Sequence, residues 1–293
     1  VGRVSRLAPA ARKKGLHKRA DRREAGALPL AVLGVRDNGT EMGRALKGEP
    51  GSAAGTFRYY AEALDKVAGE VAPTAPDVLG LVQRAPVGVV GAIVPWNFPL
   101  MIGAGKLAPA LAMGNSVVLK PAETASLWVL RLAEVGAEGG RPDGVLNVVT
   151  GGGAETGAAL AESMGVDVLA FTGSGGTGRK LLEASARSNL KRCYLELGGK
   201  SPNIVFADAP DLARVAEDAC RGNLGRPGQV RRVGKDALGR LAAQLQIAPL
   251  AARARRSLPP LTPRRARAAH AQHLPTALSP PRPAHSPPPA AAH

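Results

Sequence analysis

Residues 168–178 read Val168-Leu169-Ala170-Phe171-Thr172-Gly173-Ser174-Gly175-Gly176-Thr177-Gly178. A short apolar run ends in G-x-G-x-x-G, and a helix-period segment follows over 177–188. Glycines in such a turn let the backbone approach a pyrophosphate, and the free N–H groups of a helix start favour an anion. The same glycines can also serve a tight turn and nothing more. Two similar junctions support the first reading. Val118-Leu119 runs into Lys120-Pro121-Ala122-Glu123, and Val148-Val149-Thr150 runs into Gly151-Gly152-Gly153, with Gly157 in the helix beyond. Strands of one parallel sheet would bring all three turns to the same edge.

On either side of these turns, apolar runs alternate with helix-period segments, which argues for a mostly parallel sheet flanked by helices. Strands are expected at 87–94, 116–119, 145–149, 168–171, 192–195 and 203–206, and helices near 100–113, 124–138, 154–163, 177–188 and 211–220. The fold class is therefore α/β, with a Rossmann-like parallel sheet. Residues 1–80 read as an N-terminal, mainly helical segment without a chemical motif, and 81–230 as the nucleotide-binding domain. Pro29 is expected to break a helix in the apolar run 28–33, and Gly105 to weaken one.

The chain has 293 residues, 45% of them apolar, which is enough to bury a core. Its two cysteines exclude a disulfide framework and a cysteine-rich metal site, and no metal is expected. No apolar run approaches the length of a membrane span, and no apolar segment follows the basic N-terminus as in a signal peptide. A cytoplasmic location without membrane partners is the default.

The net charge of +16 is unevenly spread. Residues 231–293 hold 11 of the 39 basic residues but one of the 23 acidic ones, together with 11 of the 25 prolines and none of the nine aromatics. Such a segment has little means of offsetting its ordering entropy, so it reads as a disordered basic tail, with at most a short helix over 238–250. A basic arm for nucleic acid is one function for it. The absence of an aromatic to stack on a base argues against that partner. The Arg/Pro/Ala/His bias is also what a GC-rich gene yields when read in the wrong frame.

A Rossmann turn calls for an acid about 20 residues on, at the ribose hydroxyls. Glu196, at a strand end, can be drafted for that role, and Glu123, three residues after Lys120, is its rival; spacing alone does not choose between them. Four ordered motifs do more. Pro95-Trp96-Asn97-Phe98-Pro99, Lys120-Pro121-Ala122-Glu123, Phe171-Thr172-Gly173-Ser174 and Glu196-Leu197-Gly198-Gly199-Lys200-Ser201-Pro202 occur in that sequence. Together they resemble the NAD(P)-dependent aldehyde dehydrogenase superfamily, from about residue 7 to 230. The stretches 59–81 and 190–209 are most similar to bacterial members acting on γ-glutamyl-γ-aminobutyraldehyde and other aminoaldehydes.

The resemblance implies oxidation of an aldehyde to an acid through a cysteine thioester, with hydride passing to the nicotinamide. Asn97 would be the oxyanion donor and Glu196 the general base for the deacylating water. On residues alone, Asn97 could equally hold a turn between two prolines, and Glu196 could be an exposed strand-end acid. The cofactor set implied is Val94, Pro95, Trp96, Lys120, Glu123, Gly153, Gly157, Gly173, Ser174 and Leu197. Lys120 and Glu123 would meet the adenosine ribose, which leaves Glu196 for chemistry. A carboxylate there repels a 2′-phosphate, so NAD is favoured over NADP, although the family uses both. Trp96 lies beside the cofactor in the family, while Trp128 reads as packing. The family forms homo-oligomers.

The departures carry as much weight. The family's nucleophile follows Gly-Gln-x, yet Gly228-Gln229-Val230 is followed by Arg231. A guanidinium stays protonated and is not a nucleophile. Cys193 and Cys220 read as small buried residues of a strand and a helix. After Arg231 the resemblance stops, where the composition changes, and the catalytic domain is missing. One frameshift would explain both. The chain as written is thus expected to be inactive. The competing readings are a non-catalytic nucleotide-binding remnant and, less favoured, a basic-tailed nucleic-acid binder.

Overall fold

A computed structural model describes residues 7–138, 143–199, 205 and 209–224. Helices α1 (Pro9–Ala25), α2 (Ala27–Asn38), α3 (Met42–Lys47) and α4 (Glu49–Ala63) come first, followed by the strands β1 (Glu70–Ala72) and β2 (Gly80–Val82). The remainder alternates: β3 (Val89–Ile93), α5 (Pro99–Ala112), β4 (Ser116–Lys120), α6 (Leu127–Glu138), β5 (Leu146–Val148), α7 (Ala158–Glu162), β6 (Val168–Thr172), α8 (Gly175–Arg187), β7 (Arg192–Glu196) and α9 (Leu212–Leu224). Of the expected strand at 203–206 only Val205 is described, with no strand assigned to it, and the nucleophile segment, the basic tail and the Cys220 side chain lie outside the described residues.

β3 to β7 form one parallel sheet in the order β5-β4-β3-β6-β7. Numbered from β3, this is the 3-2-1-4-5 order of a doubly wound dinucleotide-binding sheet. Its central strand is buried along its length apart from half-buried Val89, as expected where helices cover both faces. Val90, Ala92 and Val94 join the core under α5, α6 and the N-terminal helices, whereas Ile93 joins the smaller core under α7 and α8. Helix α5 buries Leu100, Ala104, Leu107, Ala108 and Leu111, one continuous stripe at helical spacing. Trp128 of α6 is fully buried, and its indole N–H donates to the Leu30 carbonyl of α2. The N-terminal helices and the sheet therefore share one core across residue 80.

The segment before residue 80 is mainly helical among the described residues, and β1 and β2 add an antiparallel hairpin paired through Val71 and Leu81. Val71 is 70% and Leu81 59% exposed, so no buried alternation marked these strands. Pro29 does not break a helix. The chain breaks earlier, at Gly26, and Pro29 sits in the first turn of α2, where its missing N–H would have no helical partner. Gly105 lies inside α5 at an exposed position where a Cβ meets nothing within 4 Å.

One buried group runs against the packing. Arg23 of α1 is 1% exposed, lies over the Phe57 ring at 3.9 Å, and has no partner for Nε or Nη1. Burial first, and the nearby charge of Arg19 second, push its guanidinium down to about 9. Keeping this buried cation with two unpartnered nitrogens therefore costs the folded state stability. Arg23→Met is expected to stabilise the chain by about 1–3 kcal/mol at neutral pH, as read from urea unfolding. Unchanged or reduced stability would contradict this. Gly105→Ala should add about 1 kcal/mol in the same assay.

Candidate functional site

The chain order reverses between β3 and β6, and ligands of open α/β sheets bind beyond the strand C-termini at such a point. The residues of the implied catalytic and cofactor sets, Asn97 and Glu196 among them, lie at this edge. Val94 to Asn97 follow β3, Lys120 ends β4 and Glu123 follows it, and Gly153 and Gly157 follow β5. Gly173 and Ser174 follow β6, Glu196 ends β7, and Leu197 comes next. Register keeps these ends level, with Ile93 opposite both Lys120 and Phe171, and Thr172 opposite Glu196.

At β4, Lys120 is 3% exposed, and its Nζ donates to the Pro121 carbonyl at 3.0 Å and to Glu123 Oε1 at 3.2 Å. A buried ammonium needs such partners. Burial disfavours the Glu123 charge, but backbone amides, that of Gly153 among them, and the Lys120 ammonium outweigh it and hold the carboxyl below its usual range. The wide turn Gly153–Gly157 covers this pair. The amides of Thr156 and Gly157 both donate to the Gly152 carbonyl, at 2.9 and 3.3 Å. A π-type turn of this kind often accompanies a functional site. A Cβ on Gly157 would rest 3.8 Å from Lys120 Cδ.

At β6 the glycines are needed for space. A Cβ on Gly173 would lie 2.4 Å from the Phe171 ring, and one on Gly178 would lie 2.7 Å from Leu197 Cδ2. The Gly173 amide donates to the Glu196 carbonyl at 3.0 Å, joining the two loops. Ser174 caps α8 by accepting from the Thr177 amide at 3.1 Å. The first amides of α8, those of Gly175 and Gly176, stand outside the helical ladder, as at any helix start.

At β3, the Val94 amide donates to the Lys120 carbonyl at 3.0 Å, and Asn38 donates to the Trp96 carbonyl at 3.0 Å. Pro95, Trp96 and Asn97 are half-buried, and Glu196 is exposed. Cys193 is half-buried on β7 against the smaller core, in line with its reading as a packing residue. One residue escaped the sequence reading. Lys106 on α5 has its ammonium pushed down by burial, against the opposing pull of the Glu196 charge. Its only signal was a lysine within the apolar run 100–112.

These features fit a dinucleotide: a paired ammonium and carboxylate, a glycine turn closely packed at Gly173, and a capped helix start. Among the described residues, no cluster of three or more His, Cys, Asp or Glu could hold a metal, and no helix is long and apolar enough to cross a membrane.

The profile of the aldehyde dehydrogenase family matches residues 2–233. The chain is 52% identical over 229 residues to the NADP/NAD-dependent aldehyde dehydrogenase PuuC of Escherichia coli K12, covering 78% of this chain and 46% of that protein. The γ-glutamyl-γ-aminobutyraldehyde dehydrogenase of Burkholderia cenocepacia J2315 superposes with a TM-score of 0.77 at 44% identity, over 84% of this chain and 51% of that one. An indole-3-acetaldehyde dehydrogenase solved with NAD+ superposes with a TM-score of 0.76 at 46% identity, over 82% and 50%. The chain thus spans about half the length of the relatives it matches. With a family profile covering most of its length and the motif residues gathered at one sheet edge, the chain belongs to the aldehyde dehydrogenase family.

Proposed function

We propose that the chain is the nucleotide-binding half of an aldehyde dehydrogenase, which binds NAD at the C-terminal sheet edge and does not oxidise aldehydes by itself. The observation that carries this reading is the buried Lys120 paired with Glu123 beneath the turn Gly153–Gly157. When bound, the dinucleotide supplies the hydride acceptor for the aldehyde. Glu123 accepts the ribose hydroxyls, and Lys120 neutralises it and donates alongside. Gly173, Ser174 and the first amides of α8 meet the pyrophosphate, while Val94, Pro95, Trp96 and Leu197 line the nicotinamide end.

With a thiolate at the nucleophile position attacking the aldehyde carbonyl, Asn97 would donate an amide N–H to the resulting oxyanion, a contribution that is largest in a dry, preorganised site. Glu196 would then take a proton from the water that hydrolyses the thioester and releases the acid. The nucleophile is the missing part, because Arg231 stands where the family's thiolate would. The intact substrate is a small aldehyde, and likeness to the γ-glutamyl-γ-aminobutyraldehyde enzyme favours an aminoaldehyde. A Glu123 carboxylate favours NAD over NADP by repelling a 2′-phosphate. We place the protein in the cytoplasm and read the frame as shifted after Val230.

Titration calorimetry with the full chain should give saturable NAD+ binding, weakened about tenfold by Glu123→Gln, with discrimination against NADP+ reduced. Because Glu123 is held low, affinity should persist below the usual carboxylate range and fall only as that group takes a proton. Equal affinity in the wild type and Glu123→Gln would remove Glu123 from the ribose site. Mixed with NAD+ and small aldehydes, the chain should form no NADH; turnover would contradict the reading of Arg231.

A further inference from the structure

The turn that carries Asn97 is held from outside its own half of the fold. Asn38, the last residue of α2, donates through Nδ2 to the Trp96 carbonyl at 3.0 Å. Its Oδ1 accepts from the Thr40 amide at 3.1 Å and the Thr40 hydroxyl at 2.5 Å, which fixes the orientation of the amide. Glu49, the first residue of α4, is 2% exposed, and its Oε2 accepts from the amides of Leu100 at 3.0 Å and Met101 at 3.3 Å. Those amides belong to the first turn of α5, where N–H groups lack helical partners and the helix dipole favours a negative charge. Asn97 lies between the two attachment points.

We infer that Asn38 and Glu49 are positioning residues that hold the 96–101 turn, and with it Asn97, against the sheet edge. The inference rests on the reading of the 94–97 segment as the nicotinamide end of the site. A neighbouring contact provides an internal control. Asp37 Oδ2 accepts from the amides of Leu127 at 2.8 Å and Trp128 at 3.3 Å, and so anchors α6. A general loss of stability would disturb both anchors, whereas a positioning role separates them.

The chain has two tryptophans, one beside each anchor. Labelled with 5-fluorotryptophan, the full chain gives two fluorine resonances, assigned by Trp96→Phe. Glu49→Ala and Asn38→Ala should shift or broaden the Trp96 resonance and leave that of Trp128 in place, and Asp37→Ala should do the reverse. Glu49→Gln keeps an acceptor oxygen and should restore most of the Trp96 signal, which keeps the test informative if Glu49→Ala does not fold. An unmoved Trp96 resonance in Asn38→Ala and Glu49→Ala, or both resonances moving together in every variant, overturns the proposal. As a second readout, the ratio of NAD+ to ADP-ribose affinity should fall about tenfold in Glu49→Ala, because ADP-ribose lacks the nicotinamide. A ratio unchanged from the wild type would also overturn it. Fluorine shifts as expected in a chain that fails to bind NAD+ would sink the binding reading and leave the positioning role standing.

Discussion

Parallel pairing in level register is the constraint from which the candidate site follows. Ile93 stands opposite Lys120 on one side and Phe171 on the other, and Thr172 stands opposite Glu196. Each strand therefore ends at the same height, and each following turn opens onto the same edge. Five short sequence segments separated by helices become neighbours. Backbone bonds then lock adjacent turns together, from Val94 to Lys120 and from Gly173 to Glu196. A slip of one residue in any pair would turn the buried faces outward and separate the glycines from the groups they serve.

The second layer of order comes from the N-terminal helices. Glu49, Asn38 and Asp37 each satisfy backbone groups at the head of an adjoining loop or helix. Those groups would otherwise be left without partners at the sheet edge, where the cost is highest if water is excluded. The shared core that runs from Phe57 through Leu100 and Leu107 to Trp128 holds the two parts in place. The nucleotide edge is thus supported by a segment that carries no nucleotide motif of its own.

The difference between what the sequence revealed and what it concealed follows from range. The strands over 89–93, 116–120 and 168–172 were legible because continuous β-branched runs are a local signal of a buried parallel strand. The glycine turns were legible for the same reason. The hairpin at Val71 and Leu81 was not, since its apolar residues are exposed and follow no alternation. Glu49 and Asn38 act across more than 50 residues, a range no local pattern reports. Arg23 was invisible as a buried group because arginine on a helix ordinarily lies at the surface. The change at Arg231 was readable only through the resemblance to the family, which implies a cysteine after Gly228-Gln229-Val230.

The candidate nucleotide edge brings its motif residues together, whereas Arg231 stands at the proposed thiolate position. Hydrogen exchange of the full chain with and without NAD+ tests most directly whether that edge binds the dinucleotide. Protection should rise in the turns at 94–101, 120–123, 151–157 and 173–178, while α1 to α4 stay unchanged. No added protection at these four turns, or protection confined to the N-terminal helices, would contradict it.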